Sequence, residues 1–174
     1  MLTKIDFLTA NITLAEPKGQ AGAVLLLIPK EAKGRFGLMY TAEKEVIQRR
    51  TSILCKKYKP KKVLEVGFGL GYTATELQKN NIEKHTIIEA HPTIFKDAEK
   101  WAEKYSNVEL INKFIQDYKY NEEDYDFILD DRLEIVHEKD VRDVTPRYKV
   151  NNKWYPFLTK EDKKEMKRIF VEGR

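Results

Sequence analysis

Three glycines follow a short apolar segment in the stretch Val63-Leu-Glu-Val-Gly-Phe-Gly-Leu-Gly-Tyr72. A strand that runs into Gly67, Gly69 and Gly71 and then into a helix lets the main chain approach a ligand closely, because glycine has no Cβ. The first turn of the helix adds free N–H groups with partial positive charge. A pyrophosphate or an amino-acid moiety suits such a site. Glycines also serve tight turns, so the turn alone favours a ligand site and a purely structural loop about equally.

An acid follows the glycines at the distance typical of a carboxylate that binds a ribose. Glu89 ends the next strand-like segment, eighteen residues past Gly71, and a carboxylate there accepts two hydrogen bonds from a diol. Alone, Glu89 would be interpreted as an exposed acid at a strand end, but together with the glycines it favours ribose binding. Glu65 lies inside the first strand, where an unpaired charge is costly to bury. We expect it to bond the N–H groups of the glycine loop or the ammonium group of a ligand, unless it faces a sheet edge.

The elements that position these residues alternate between helix and strand. In chain order, the pattern predicts a helix over 41–58, a strand over 62–66, a helix over 72–79, a strand over 85–89, a helix over 92–105, and strands over 108–111 and 125–129. This alternation is typical of a parallel sheet wrapped by helices. We therefore predict an α/β fold, with a Rossmann-like, mostly parallel sheet of about five strands and flanking helices.

The two ends of the chain are less regular. A strand is predicted near 24–28, and a hairpin over 148–155 that turns at two consecutive asparagines. Thr159 is predicted to cap a last helix, with Asp162 three residues further on. Past Asp131 the sequence is rich in charged residues and shows no fifth apolar strand. The fold is therefore expected to be shortened at its C-terminal end, with an open sheet edge that a second copy of the chain would complete as a homodimer.

The motifs between residues 63 and 131 carry a family resemblance. The segments VLEVGFGLG, HTIIEAHP and NVELINKFIQDY resemble the delta-nitrogen protein arginine methyltransferases and guanidinoacetate methyltransferase, which are class I enzymes that use S-adenosylmethionine (SAM). The resemblance implies a SAM pocket, in which Glu65 and the three glycines surround the methionine part and Glu89 holds the ribose. Asp117 or a neighbour would recognise the adenine amine, although a helix-capping role explains Asp117 nearly as well. The other cofactor-binding residues expected within these motifs are Phe68, Ala90 and Ile115.

The same family ends its fourth strand with an aspartate that holds the guanidino group of the acceptor. The stretch Tyr125-Asp-Phe-Ile-Leu-Asp-Asp131 places Asp131 at that position. A carboxylate binds a guanidinium through two parallel hydrogen bonds and orients one nitrogen towards the sulfonium methyl group. Adjacent Asp130 is expected to share the acceptor or to raise the pKa of its neighbour by repulsion. A strand-end acid pair that bonds the loop or Arg132 carries equal weight.

The resemblance also implies a second acid in the helix before the first strand. The family has a Trp-Glu pair there, whereas this chain has Thr41-Ala-Glu-Lys-Glu45 and lacks the tryptophan. Glu45 is the better-spaced candidate, and Glu43 is the second. We interpret the chain as one domain over 1–174, with an N-terminal helical and strand cap (1–59), a SAM-binding core (60–131) and a divergent hairpin and helix tail (132–174).

These features favour SAM-dependent transfer of a methyl group to a guanidino or amino nitrogen of a small molecule or an arginine side chain. One alternative is a non-catalytic SAM-binding or interaction module, which the unfamiliar tail favours. Another is aminopropyl transfer from decarboxylated SAM, against which the absence of a Ser/Thr-Asp-Pro run after Asp131 counts.

Composition limits the partners. The longest apolar run, over 21–28, is shorter than the roughly 20 residues of a bilayer span, and no secretory signal is found, so we expect a cytoplasmic protein without a membrane partner. Cys55 is the single cysteine, and His85 and His91 have no third ligand at suitable spacing, so no metal site is predicted. The C-terminal basic excess is interleaved with acids, which favours a solvated helix face over nucleic-acid binding.

Overall fold

The computed structural model describes residues 13–15, 24–27, 37–40, 44–131 and 146–172. The first three ranges form an antiparallel sheet in the order β1 (Thr13–Ala15), β2 (Val24–Leu27) and β3 (Gly37–Tyr40). The strand predicted near residue 24 is confirmed as β2. Its two neighbours carried no recognisable pattern in the sequence.

Within the part of the chain that the structure describes, the main sheet has six strands. Its parallel part consists of β4 (Lys62–Val66), β5 (Lys84–Ile88), β6 (Val108–Ile111) and β7 (Phe127–Asp130). The two remaining strands, β8 (Arg147–Val150) and β9 (Lys153–Pro156), are antiparallel. The strands lie in the order β6-β5-β4-β7-β8-β9. The predicted α/β fold with a mostly parallel sheet is confirmed, with six strands in this sheet where about five were expected.

Among the described residues, four α-helices accompany the sheet: α1 (Lys44–Tyr58), α2 (Tyr72–Gln78), α3 (Pro92–Ala102) and α4 (Lys160–Glu172). One face of the sheet packs against α1, α2 and α3, because alternate strand residues such as Val63, Ile87 and Leu129 join the helices in buried apolar clusters. The opposite face carries the intervening strand residues, among them Leu64, which pack against the segment after β6. The central strands are buried on both faces, and buried polar side chains such as Glu65 and His85 interrupt their apolar residues.

The hairpin predicted over 148–155 is confirmed. Asn151 and Asn152 have φ angles of 51° and 61°, which a two-residue turn of this twist requires. The ring of Tyr148 stacks on Phe127 of β7 at 5.5 Å and on Tyr155 of β9 at 5.4 Å. The hairpin therefore extends the sheet beyond β7. Because β8 runs antiparallel to β7, its first residue, Arg147, lies beside the last residue of β7.

The cap predicted for the last helix is also confirmed. The main-chain N–H of Asp162 donates to the Thr159 hydroxyl at 3.0 Å, and the N–H of Thr159 donates to the Asp162 carboxylate at 2.9 Å. We expect Thr159→Ala to lower the free energy of unfolding by about 1 kcal/mol, since one N–H of the first turn loses its acceptor. Urea unfolding measures this, with Thr159→Ser as the matched control that keeps the hydroxyl. An alanine variant as stable as the wild type would contradict the prediction.

The strand β9 forms one edge of the sheet, and its four residues are exposed. The homodimer through an open edge stays a prediction. Within the described ranges, no helix is both long enough and apolar enough to cross a bilayer.

Candidate active site

The carboxyl ends of three parallel strands meet at one edge of the sheet. Register pairs Val66 at the end of β4 with Ile88 on β5 and with Asp130 on β7. After β4 the chain forms β5 on one side of β4, and it later forms β7 on the other side of β4. Open α/β sheets bind ligands at such a reversal of strand order. The glycine loop, Glu89 and Asp131 each follow directly after one of these strand ends, so the fold brings them together.

The glycine loop adopts conformations that other residues rarely take. Gly67, Gly69 and Gly71 have φ angles of 91°, 57° and 75°. The N–H of Gly67 donates to the Ile88 carbonyl at 2.8 Å, which continues the sheet into the loop. A Cβ at residue 71 would lie 2.7 Å from the Phe68 ring. The loop therefore needs glycine for its backbone, and its close packing leaves no room for a side chain at 71.

We expect Gly71→Ala to lower the free energy of unfolding by about 2 kcal/mol or more, because the left-handed backbone and the clash with Phe68 both act. Thermal or urea unfolding measures the loss. Adding Phe68→Leu replaces the ring that the new Cβ would meet with a smaller side chain. The double variant should therefore lose less free energy of unfolding than the sum of the losses in the two single variants. Strictly additive losses would show that the ring contact is unimportant.

Glu89 joins the glycine loop to the start of α3. Its carboxylate accepts the Phe68 N–H through Oε2 and the His91 N–H through Oε1, both at 2.8 Å, and the residue is only 7% exposed. Burial raises the pKa of Glu89, and the main-chain N–H groups of His91, Phe68 and Gly69 act in the opposite direction. Three N–H groups thus face two oxygens that have about four lone pairs between them, so the carboxylate can accept a further hydrogen bond. The side chain is therefore fixed by the protein and still able to accept from a ligand hydroxyl.

Asn112 supports this position, although no motif in the sequence predicted a role for it. It follows β6 directly, and its side-chain amide donates to the main-chain carbonyls of Glu89 at 2.8 Å and Ala90 at 3.3 Å. These contacts fix the turn on which both predicted cofactor-binding residues lie. The available signal was a polar residue placed immediately after a strand at the same edge of the sheet.

Glu65 has a different partner from the one expected. Its described hydrogen bond is with His85, whose Nε2 lies 2.8 Å from Oε2, rather than with an N–H group of the glycine loop. Both side chains are inaccessible, at 1% and 0% exposure. Burial raises the pKa of Glu65, and its contact with His85 opposes that rise. The side chain of Glu65 points to the helix-covered face of the sheet, which explains why it meets a residue of the neighbouring strand. Its assignment to a cofactor site stays a proposal.

Asp131 carries a shifted pKa. It is a solvent-exposed residue, yet the protein around its carboxylate removes enough water to raise the pKa to about 7. Desolvation is the largest cause, and repulsion by Glu65, Asp130 and Glu89 adds to it. Its neighbour therefore raises its pKa, as expected from the sequence. Four carboxylates share this edge of the sheet, and such a concentration of negative charge attracts a cationic ligand.

Asp130 is buried and has an unforeseen neighbour. Nη2 of Arg147 lies 3.5 Å from its Oδ2, and the guanidinium stacks on the Trp154 ring with its carbon 4.2 Å from the ring centroid. Arg132, the partner considered from the sequence, lies outside the described residues. The cation at this end of the acid group comes from the hairpin, because β8 runs antiparallel to β7.

The remaining predicted residues lie around this core. Glu45 is exposed in the first turn of α1, and the adjacent Lys44 places its Nζ 5.9 Å from the Tyr72 ring at the start of α2. The start of α1 is thus close to the glycine loop, although Glu45 is not among the acids that raise the pKa of Asp131. Glu43 lies outside the described residues.

On the other side of the site, a short 3-10 turn over Ile115–Asp117 follows β6. Ile115 is half-buried against the cluster that contains Val66 and Ile88, and Asp117 is exposed. The Phe68 ring is buried and lies 5.4 Å from the Trp101 ring, so Phe68 faces the site only through its main chain. His91 caps α3 by accepting the Thr93 N–H. Among the described residues, no three His, Cys, Asp or Glu side chains form a group that could hold a metal.

A sheet with this strand order, a glycine loop after β4 and an acid after β5 defines a Rossmann-like α/β protein, a fold in which ligands bind beyond the carboxyl ends of the strands. The family described as guanidinoacetate N-methyltransferase matches residues 43–140, which are 98 of the 174 residues. The chain therefore belongs to that family, and the resemblance inferred from its motifs is confirmed.

The chain is also similar to a curated relative, protein arginine N-methyltransferase 2 of Yarrowia lipolytica, with 34% identity over 84 residues. The match covers 45% of this chain and 18% of the relative, so the chain spans about a fifth of that protein. Two solved structures are similar at 17% identity and a TM-score of 0.42: a spermidine synthase in complex with the transition-state analogue AdoDATO, and the spermidine synthase of Thermotoga maritima. They cover 71% and 72% of this chain, and 47% and 48% of their own lengths are matched.

Proposed function

We propose that the protein binds SAM at the carboxyl edge of its main sheet and transfers the methyl group to a guanidino or amino nitrogen of a small molecule or an arginine side chain. Membership of the family supports this function. The observation that carries it is the gathering of four carboxylates around the glycine loop, with the pKa of one of them, Asp131, raised to about 7. A donor with a positive sulfonium and an acceptor with a positive guanidinium both suit such an edge.

The residues present fit the donor. The glycine loop would offer main chain without side chains next to the methionine part, and Glu65, on the strand that leads into the loop, would supply negative charge near it. Glu89, held by main-chain N–H groups of Phe68 and His91, would accept hydrogen bonds from the ribose hydroxyls. Ile115 and Asp117 would border the adenine, with Ala90 and the main chain of Phe68 completing the wall. SAM supplies an activated methyl group, because its sulfonium leaves as a neutral sulfide.

Asp131 is the proposed acceptor-binding residue. A carboxylate at this position holds a guanidinium through two parallel hydrogen bonds and aims one nitrogen at the methyl carbon. As the nitrogen–carbon bond forms and the carbon–sulfur bond breaks, the nitrogen loses one proton. A carboxylate with a pKa of about 7 can take that proton at neutral pH. Asp130 and Glu45 are proposed as further contacts of the acceptor.

Calorimetry with SAM and a methylation assay test the proposal separately. We expect binding of SAM, and methylated product from at least one of arginine, guanidinoacetate or a panel of small amines, with Asp131→Asn as the inactive control. Binding without product from any of them would contradict the enzyme and favour a non-catalytic SAM-binding module. A protein without affinity for SAM would contradict the proposal as a whole.

A further inference from the structure

Three polar side chains, the half-buried Gln78 and the fully buried His85 and Glu65, link α2 to β4 through β5. Nε2 of Gln78 lies 3.0 Å from Nδ1 of His85, and Nε2 of His85 lies 2.8 Å from Oε2 of Glu65. A polar chain of this kind costs free energy to bury unless every member is satisfied. The function proposed above gives Glu65 a role but leaves His85 and Gln78 without one.

We propose that His85 is a positioning residue that acts on the donor through Glu65: its imidazole N–H orients the buried carboxylate and favours its ionised form next to the glycine loop, where the negative charge would face the cationic methionine end of SAM. This inference rests on the proposed function. It assigns His85 to the site and explains why a histidine is needed at this position.

The hydrogen bonds assign the proton of the ring. The amide nitrogen of Gln78 can only donate, so Nδ1 of His85 must accept. The single proton of the neutral imidazole is then on Nε2, where it is donated to Glu65. Both hydrogen bonds are therefore donated in the same direction, from Gln78 to His85 and from His85 to Glu65.

Packing holds the ring in this orientation. The edge of His85 meets the Trp101 ring at 84° with centroids 6.2 Å apart, and the indole N–H of Trp101 is fixed by the Thr75 hydroxyl at 3.0 Å. The side chain of His85 is fully buried, so water cannot replace Nε2 as the donor to Glu65. The residue type matters because few side chains present a donor at this distance from β5.

The charges around Glu65 explain why a donor is needed. Glu65 raises the pKa of two nearby acids by repulsion, Glu89 after β5 and Asp131 after β7. His85 on β5 is the group that lowers the pKa of Glu65 itself. Without the N–H of His85, burial would raise the pKa of Glu65 unopposed and favour its protonated form. The carboxylate would then be neutral, and its attraction for a cation would be lost.

Calorimetry on variants of the full chain tests this inference. We expect His85→Phe to weaken SAM binding by about tenfold near neutral pH, since a hydrogen bond to a charged group is removed. His85→Gln, which can present an amide N–H near the position of Nε2, should bind within about threefold of the wild type. In a Glu65→Gln background the phenylalanine substitution should add little further loss, because the charge on which His85 acts is already absent.

Nitrogen NMR of the wild-type imidazole gives a second measurement that needs no variant. We expect one protonated nitrogen, Nε2, and one unprotonated nitrogen, Nδ1. A proton on Nδ1 would overturn the inference, as would wild-type affinity in His85→Phe or an equal loss in the Glu65→Gln background. These results leave the proposed function standing, whereas failure of the wild type to bind SAM would overturn both.

Discussion

Glu89→Gln should weaken SAM binding by about 100-fold or more. Both oxygens of Glu89 accept main-chain N–H groups, one from Phe68 in the glycine loop and one from His91 before α3. Glutamine has a single acceptor oxygen, so its NH2 group would point at one of these two main-chain N–H groups. Two donors would then face each other without an acceptor. The ribose hydroxyls would also lose an ionised acceptor. Two charge-assisted hydrogen bonds amount to about 3 kcal/mol, which corresponds to about 100-fold in affinity.

Calorimetry with SAM measures this loss, and Glu83→Gln is the matched control. Glu83 is an exposed acid just before β5, so its substitution makes the same change in charge near the same strand. Its affinity should equal that of the wild type. Urea unfolding of both variants separates a loss of binding from a loss of fold. If Glu89→Gln bound SAM with unchanged affinity, Glu89 would not bind the ribose, and the proposed placement of SAM at this edge of the sheet would be wrong.

Strand positions could be predicted from the sequence where an apolar run is bounded by polar residues or glycine. The bounds of β4 and β6 were predicted to the residue, because Val63 and Leu64 or Val108 and Leu110 lie in short runs with clear ends. The strand β5 begins and ends one residue earlier than predicted. Glu89 thus lies just past the strand, and this shift frees its side chain to turn back towards the loop.

Partners across the sheet could not be predicted in the same way. Period-two alternation places Glu65 and His85 on faces of their own strands, but it does not say which residues of two strands lie side by side. Register decides that, since Val63 pairs with His85 and Glu65 with Ile87. For the same reason Asn112 was missed, because its partners are carbonyl groups of another turn. Local motifs identified the glycines, Glu89 and Asp131, each of which follows its strand along the chain.

Asp131→Asn should lower kcat for methyl transfer by about 1,000-fold, within the range of an orienting group that also accepts a proton. Asparagine can accept one hydrogen bond from a guanidinium but carries no charge and cannot take the proton. In the wild type, kcat/KM should rise by about tenfold per pH unit below pH 7 and level off above it, because the pKa of Asp131 in the free protein is about 7. The variant should lose this pH dependence while SAM binding persists.

The same pKa fixes the sign of an effect on stability. The folded chain holds a proton on Asp131 up to about pH 7, whereas the unfolded chain releases it near the ordinary value of 3.8. Between these values the folded state binds more protons, so this group makes the free energy of unfolding fall as pH rises. Asp131→Asn should remove that fall, and urea unfolding at several pH values measures it. Asp97→Asn, an exposed acid on α3, is the control and should keep both the wild-type pH dependence and its activity. If kcat/KM of Asp131→Asn still rose through pH 7, another acid of the site would be the group that titrates.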